Sequence, residues 1–280
     1  MGRCCTTAMR FLGTGHILFC IGLAGLGVLS LASGDFAFTW QPVPASIPAR
    51  ELLARCSGIL LLAGGIGMAF KRTAAPSALV MAIYLLTWVL FLQGPHVIQA
   101  PGNVGAWLGF CENTVLMSGG WILFASLADP GDWPKMSFFI GANGVRVARF
   151  LFGGSCLVLG LSHFVYTAAT AGMVPAWLPG REGFAYLTGT GHIATGIAVL
   201  TGILPRLATT LEAIMISLFV LLVHIPGAMH EPGSRLQWTM VFVASALAGA
   251  VWAIARSFGK SPWGFSSRVS APAEKTPVPL

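Results

Sequence analysis

The sequence predicts an all-α integral membrane protein of eight transmembrane helices, built as two tandem four-helix bundles inserted in the same direction. Three observations carry this. First, 55% of the residues are hydrophobic and only 9% are charged, against roughly 25% charged in a soluble domain; too few charges remain to coat a water-facing surface. Second, the apolar runs are long and continuous and show none of the ten-residue alternation of a membrane barrel. In lipid, that leaves helices as the structures able to satisfy their own backbone amides. Third, the chain is an internal duplication. Val43-Pro44-Ala45, Pro48, Arg50 and Glu51 recur as Val174-Pro175-Ala176, Pro179, Arg181 and Glu182, a shift of 131 residues. The same shift carries Gly58 onto Gly189, Gly65 onto Gly196, Pro95 onto Pro226, Trp107 onto Trp238 and Trp121 onto Trp252. A register held through prolines, glycines and tryptophans identifies a repeated unit.

A span needs ~20 apolar residues. Taken in order, the runs place spans at 11–32, 52–70, 77–94 and 104–127 in the first half and at 149–171, 184–203, 208–226 and 236–255 in the second. The start of the first span, Arg10-Phe11-Leu12 and Gly15, matches Arg149-Phe150-Leu151 and Gly154 at a shift of 139, which puts 8 residues of slack in the loop around Asp35 to Trp40. The units are then 10–127 and 149–256, joined by a breaker-rich linker at 128–148 and followed by a disordered tail at 257–280. Glycines inside the spans, such as Gly64 and Gly65 or Gly189 and Gly196, suit close helix packing in lipid.

The basic residues set the orientation. Of the 16 Lys and Arg, only Arg50, Arg55, Arg181 and Arg235 fall on one face; the others sit at the termini and in the 2–3, 4–5 and 6–7 loops. The positive-inside rule therefore predicts a multi-pass protein of a bacterial inner membrane with both termini cytoplasmic. The net charge of +7 is spread singly over segment ends, which excludes a nucleic-acid surface and leaves the lipid bilayer as the partner. The six cysteines show no CxxC and no paired metal spacing, so no metal site is expected, and Cys20, Cys56, Cys111 and Cys156 read as small core residues. Cys4-Cys5 behind Met1-Gly2-Arg3 matches a loose lipidation pattern.

Ionisable groups inside the hydrocarbon layer are costly and therefore candidates for function. His163 and His192 each lie about eight residues, ~12 Å, below the outer surface on neighbouring spans. His224 lies near the outer end of the seventh span, and Tyr166 one turn above His163. Their first-half counterparts are Ala24 for His163, Leu61 for His192 and Gln93 for His224, so a polar-lined cavity is expected in the second half alone. Three roles fit: hydrogen bonds across helices, worth ~0.6 kcal/mol each; a small-molecule site, such as a quinone head group held by an imidazole donor; or haem or metal ligation. Arg50-Glu51 and Arg181-Glu182 open spans on the outer face, where Glu complements the helix dipole and Arg reaches the headgroups; the alternative is a polar rim over a cavity. Glu112, in mid-span beside Asn113, must be protonated or paired across the repeats. Glu212 reads as interfacial.

The second half resembles the DoxX-like family of small four-helix membrane proteins. The resemblance rests on Gly160-Leu161-Ser162-His163-Phe164, on Val174-Pro175-Ala176-Trp177-Leu178-Pro179, on Leu187-Thr188-Gly189 with Gly196 downstream, and on Leu204-Pro205-Arg206-Leu207-Ala208. It covers residues 149–255 well and 10–127 through the internal repeat. It implies a membrane subunit of a quinone-linked oxidoreductase complex, with a soluble or membrane redox subunit as partner and a quinone or haem near His163 and His192. The alternative is a non-catalytic scaffold or carrier for a lipophilic small molecule. Relatives often carry a Glu in the glycine-rich second helix; here that region has His192.

Overall fold

The structure is a computed structural model that describes residues 13–264. The Cys4-Cys5 pattern, Arg10-Phe11-Leu12 and the tail beyond residue 264 lie outside the described residues. The described chain is helical, with eight long helices: α1 (Thr14–Ser33), α2 (Arg50–Ala69), α3 (Ala74–Gln99), α4 (Val104–Leu127), α5 (Ala142–Val165), α6 (Arg181–Thr201), α7 (Pro205–His230) and α8 (Arg235–Ser257). Six of these are long and apolar enough to cross a membrane; α4 and α6 fall outside that set. The two exceptions carry Glu112-Asn113 and His192 within them. Outward faces stay apolar: α2 exposes Leu52, Ile59 and Ile66 at seven-residue spacing, a stripe that lipid can cover and water cannot.

Several boundaries differ from the sequence expectation. The third and seventh spans run on past Pro95 and Pro226 instead of stopping there. Proline cannot supply the usual helical N–H and crowds the preceding turn; both helices answer with a π-helical stretch, Trp88–Gln93 and Val220–His224, and then continue. The fifth span starts at Ala142, earlier than 149, so the linker shortens to a 3₁₀ turn at Pro134–Met136 and a short helix at Ser137–Ile140. The same span ends at Val165, and residues 167–171 belong to a separate helix, Thr167–Met173. The first residues of the expected tail pack down: Phe258 is buried under the Arg149 guanidinium, and Trp263 lies 4.0 Å from that of Arg206.

The packing is not that of two separate four-helix bundles. Successive helices pack as neighbours from α1 to α8, α1 closes the ring by seating on α8, and α4 and α8 touch across the middle. Each half is thus a ring of five helices that borrows the last helix of the other. The physical reason is side-chain size. Gly249 and the alanines at 244, 246, 248 and 250 make α8 thin on all sides, and 78% of its apolar window is buried, against 50% or less in the other five candidate spans.

Within each ring the first two helices meet glycine to carbonyl. A methyl at Gly27 would stand 2.7 Å from Gly58 O, and one at Gly160 would stand 2.5 Å from Gly189 O. A methyl at Gly65 would meet Cys20 O at 2.8 Å, and one at Gly196 would meet Gly153 O at 2.7 Å. These twin contacts relate α1 to α5 by a shift of 133, which replaces the expected 139. Gly15 and Gly154 confirm the correction: a Cβ on Gly15 would meet the α8 backbone, whereas Gly154 faces open space. The first-half position matching His163 is therefore the buried Ser30, not Ala24.

Alternating helices gather the 34–49, 100–103, 166–180 and 231–234 connections at one end. There Asp35 is ion-paired to both Arg50 and Arg235. Arg235 also donates to Phe36 O at 3.1 Å and covers the Phe38 ring at 3.9 Å. This clamp holds Phe38 at a left-handed φ of 47°, a conformation that costs ~1–2 kcal/mol for a residue other than glycine, and turns Trp40 and Gln41 inward. Partial burial opposes the charge on Asp35, but the Phe36 N–H and the two guanidiniums outweigh it and hold the carboxyl below its usual value of 3.8.

Two outcomes follow from this packing. Gly189→Ala, which places a methyl 2.8 Å from His163 Cβ, is expected to lower thermal stability in detergent by about 1–3 kcal/mol. Gly183→Ala in the same helix meets nothing within 4 Å and is expected to be neutral or to stabilise by up to about 1 kcal/mol. For Asp35, a depressed carboxyl contributes fully above the ordinary aspartate range and loses its contribution as pH falls through the folded value. Protection of the 34–49 loop, with exchange corrected for its intrinsic rate at each pH, is therefore expected to hold at neutral pH and to fall as pH drops below the ordinary aspartate range. Asp35→Asn is expected to show the reduced protection already at neutral pH.

Candidate functional site

The ring of the second half encloses a cavity of about 670 Å³. Its walls come from α4 to α8, from the 166–178 segment and from Trp40 of the first half's loop, and they are mostly leucine, methionine, valine and phenylalanine. Few polar side chains enter it: Glu112, Ser162, His163, Tyr166, Thr170, Thr188, His192 and His224. The lining is thus more apolar than the sequence suggests, with polar groups placed at intervals, as in small-molecule sites of roughly 300–1,000 Å³. The structure places His163, His192, His224, Tyr166 and Glu112 on this one cavity. It leaves Arg50, Glu51, Arg181 and Glu182 outside it. Arg50 pairs with Asp35, and Glu51 with Arg55 one turn on.

His163 and His192 meet edge to face, with ring centroids 5.0 Å apart, and both lie against Phe219 at about 6.3–6.4 Å. His163 owes its place to Gly160 and Gly189, which bring α5 and α6 into backbone contact. Its Nδ1 is 2.9 Å from Thr188 Oγ1. The Thr188 hydroxyl donates to Phe184 O at 2.8 Å, so its oxygen accepts from His163 Nδ1–H, and Nε2 is left as the acceptor in that tautomer.

His192 is buried, and its Nδ1 is 2.5 Å from Glu212 Oε1. Glu212 is only 1% exposed, which overturns its reading as interfacial. The short 202–204 turn folds α7 back along α6, so residues about equally far from the turn meet, and 192 and 212 are such a pair. Sequence distance alone hid this partner; counting outward from the Gly202 break would have revealed it. Its second oxygen, Oε2, is buried with no hydrogen bond among the described residues. On the opposite wall Glu112 accepts a 2.7 Å hydrogen bond from the Trp40 indole, and Asn113 beside it donates to Trp40 O at 3.2 Å. Glu112 is therefore paired, and its partner is the first half's inward-turned loop. His224 ends the π-helical stretch before Pro226, lines the cavity, and makes no hydrogen bond among the described residues.

The duplicated positions in the first half are closed. The His192–Glu212 pair is replaced by Leu61 and Met81, both fully buried. Phe219 and Met215 correspond to Trp88 and Tyr84, and Thr188 to Ser57. The space is filled by the chain itself. Gln41 is buried and donates to Ser57 Oγ at 2.9 Å and to Tyr84 OH at 3.2 Å. Gln93, the counterpart of His224, donates to the carbonyls of Thr39 and Trp40 at 2.7 and 3.3 Å. One fold thus carries a plugged pocket and an open one.

The arrangement limits what could be held. An iron between His163 and His192 would need about 2 Å to each nitrogen, with the macrocycle between the rings. The rings touch each other instead, and each has a nitrogen engaged by the protein, so a haem does not fit between them. Among the described residues, no three His, Cys, Asp or Glu side chains converge to hold a metal ion. Comparison with protein-family models, curated proteins and solved structures finds no match to this chain.

The Leu61–Met81 pair shows how this interior tolerates an apolar alternative. His192→Leu alone leaves the Glu212 carboxyl buried without its hydrogen bond and is expected to cost about 1–3 kcal/mol. Glu212→Met alone leaves an imidazole N–H unpaired, at about 1–3 kcal/mol. The double variant His192→Leu/Glu212→Met copies the first half and is expected to recover most of that loss. A double-mutant cycle by thermal unfolding in detergent reads the coupling directly; additive losses would mean that the two side chains do not support each other.

Proposed function

We propose that this chain is a DoxX-like polytopic membrane protein that holds a lipophilic small molecule in the cavity of its second half. The observation that carries the reading is the contrast between halves. The same fold fills one pocket with its own residues 38–41 and leaves the other as an apolar chamber of about 670 Å³ bordered by three histidines and Glu112. Leu187, Leu211 and Leu218 line the chamber and are also exposed on the outer surface of α6 and α7, which supports entry sideways from the lipid. In this reading all eight helices span a bacterial inner membrane, the even count per repeat directs both halves the same way, and both termini are cytoplasmic. The end bearing Asp35 and Arg235 then faces outward, with the chamber beneath it.

A role as membrane subunit of a quinone-linked oxidoreductase is the second reading, and a specific observation favours it. His192 and Glu212 form a hydrogen-bonded pair able to hold a proton at the chamber wall, which suits a ligand that takes up protons when it is reduced; a partner subunit would supply the electrons. The DoxX-like family often carries an acid on its second helix; here α7 supplies Glu212 to the second-helix His192.

The cavity reading is tested by refilling it. Met215→Tyr/Phe219→Trp imports Tyr84 and Trp88 from the plugged half. Organic extraction of the purified wild-type protein, followed by mass spectrometry, is expected to release a lipophile in near-stoichiometric amount. The filled variant is expected to fold and to release little of it. Equal recovery from both, or none from the wild type above bulk lipid, defeats the proposal.

A further inference from the structure

The first half displays what the chamber of the second half would recognise. In the plugged ring the Gln41 amide donates to Ser57 and Tyr84, whereas the groups that meet the π-helical end of α3 are backbone carbonyls. Thr39 O and Trp40 O both accept from the Gln93 side-chain amide. Gln93 is 3% exposed and ends the π-helical stretch of α3, as His224 ends that of α7. The two positions are related by the 131-residue repeat, and each precedes a proline by two residues. Deeper in the same ring, Ser57 accepts from the plug; its counterpart Thr188 holds His163 beside the chamber. The wall positions are shared, but only the first half supplies an occupant. His224 is accordingly left with no hydrogen-bond partner among the described residues although it borders the chamber, an arrangement that lipid-depth packing penalises unless a ligand or water completes it.

We propose that the chamber takes a lipophile whose head group carries a carbonyl oxygen, and that His224 donates to that oxygen as Gln93 donates to the carbonyls of Thr39 and Trp40. This inference rests on the reading of the cavity as a binding site and specifies the chemistry of what it binds. His224 is then a specificity-determining residue: it selects between apolar molecules of equal size by the presence of an acceptor. Gln and His both present an N–H at this depth, which is why the duplicated position changed identity without losing a donor. The preceding π-helical turn, used in both halves, gives that side chain its inward aim.

The test compares two probes that differ in one carbonyl oxygen, decanophenone and decylbenzene. Equilibrium binding is measured on the full chain in lipid nanodiscs, with partition into empty discs subtracted. The wild type is expected to prefer decanophenone by about tenfold, the worth of one buried hydrogen bond. His224→Leu is expected to abolish that preference, and its thermal unfolding in the same discs shows that the variant is folded. His224→Gln, which installs the first half's donor, is expected to keep the preference. A wild type that binds both probes equally, or a preference that survives in His224→Leu, overturns the carbonyl inference and leaves the cavity reading standing. If neither probe binds, the cavity reading falls and the inference with it.

Discussion

The contact between bare backbone at Gly160 and Gly189, repeated at Gly27 and Gly58, fixes the rest of the architecture. In an apolar solvent no water is released when helices meet, so van der Waals fit and buried hydrogen bonds must hold them. Glycine lets two helices approach until carbonyl and Cα touch, and an approach that close has a single register. That register presents Leu31 to Gly58 in one half and Phe164 to Gly189 in the other, and it seats His163 against Thr188 and His192. A larger residue at any of these glycines would move the helix, and the imidazole with it.

The duplication allowed the halves to divide their labour. The clamp of Asp35 between Arg50 and Arg235 bends the first half's loop inward until Gln41 and the carbonyls of Thr39 and Trp40 occupy the ring. In the second half the corresponding connection forms the helix Thr167–Met173 and roofs the chamber instead of filling it. Because α4 and α8 belong to both rings, the plug is not confined to its own half: the Trp40 indole reaches the chamber wall and bonds Glu112. The closed ring therefore also shapes the open one, and a change in the 34–49 loop should be felt at Glu112.

Buried polarity is arranged by the same economy. Asn113, Gln41, Gln93, His192 and Glu212 are each nearly or wholly inaccessible, and each is bonded to a group from a different helix or loop. These bonds act between elements whose apolar surfaces alone would slide. The first half achieves its tightness at Leu61 and Met81 by packing, while the second joins an imidazole and a carboxyl by a hydrogen bond at the same two places. The difference follows the presence of a chamber: an apolar pair suffices where the space is full.

Composition and period, written residue by residue, are enough for the helical class, the apolar surroundings and the repeat. The sequence also marked His163, His192, His224, Tyr166 and Glu112, since an ionisable or hydroxylic side chain within an apolar run stands out without any knowledge of its neighbours. Tertiary structure decided which of them share a cavity and who their partners are. Glu212 reads as interfacial when its span starts at 208, whereas the helix starts at Pro205 and the turn before it folds Glu212 onto His192. Trp40 and Gln41 read as slack in a loop, since nothing local indicates that a loop turns inward. The local match at a shift of 139 sets the counterpart of His163 at Ala24, whereas the glycine contacts between helices set it at Ser30. The physical reason is common to all three. Local chemistry fixes what a residue can do, but which groups meet is set by the depth to which helices can approach, and that is a property of pairs of helices rather than of either sequence alone.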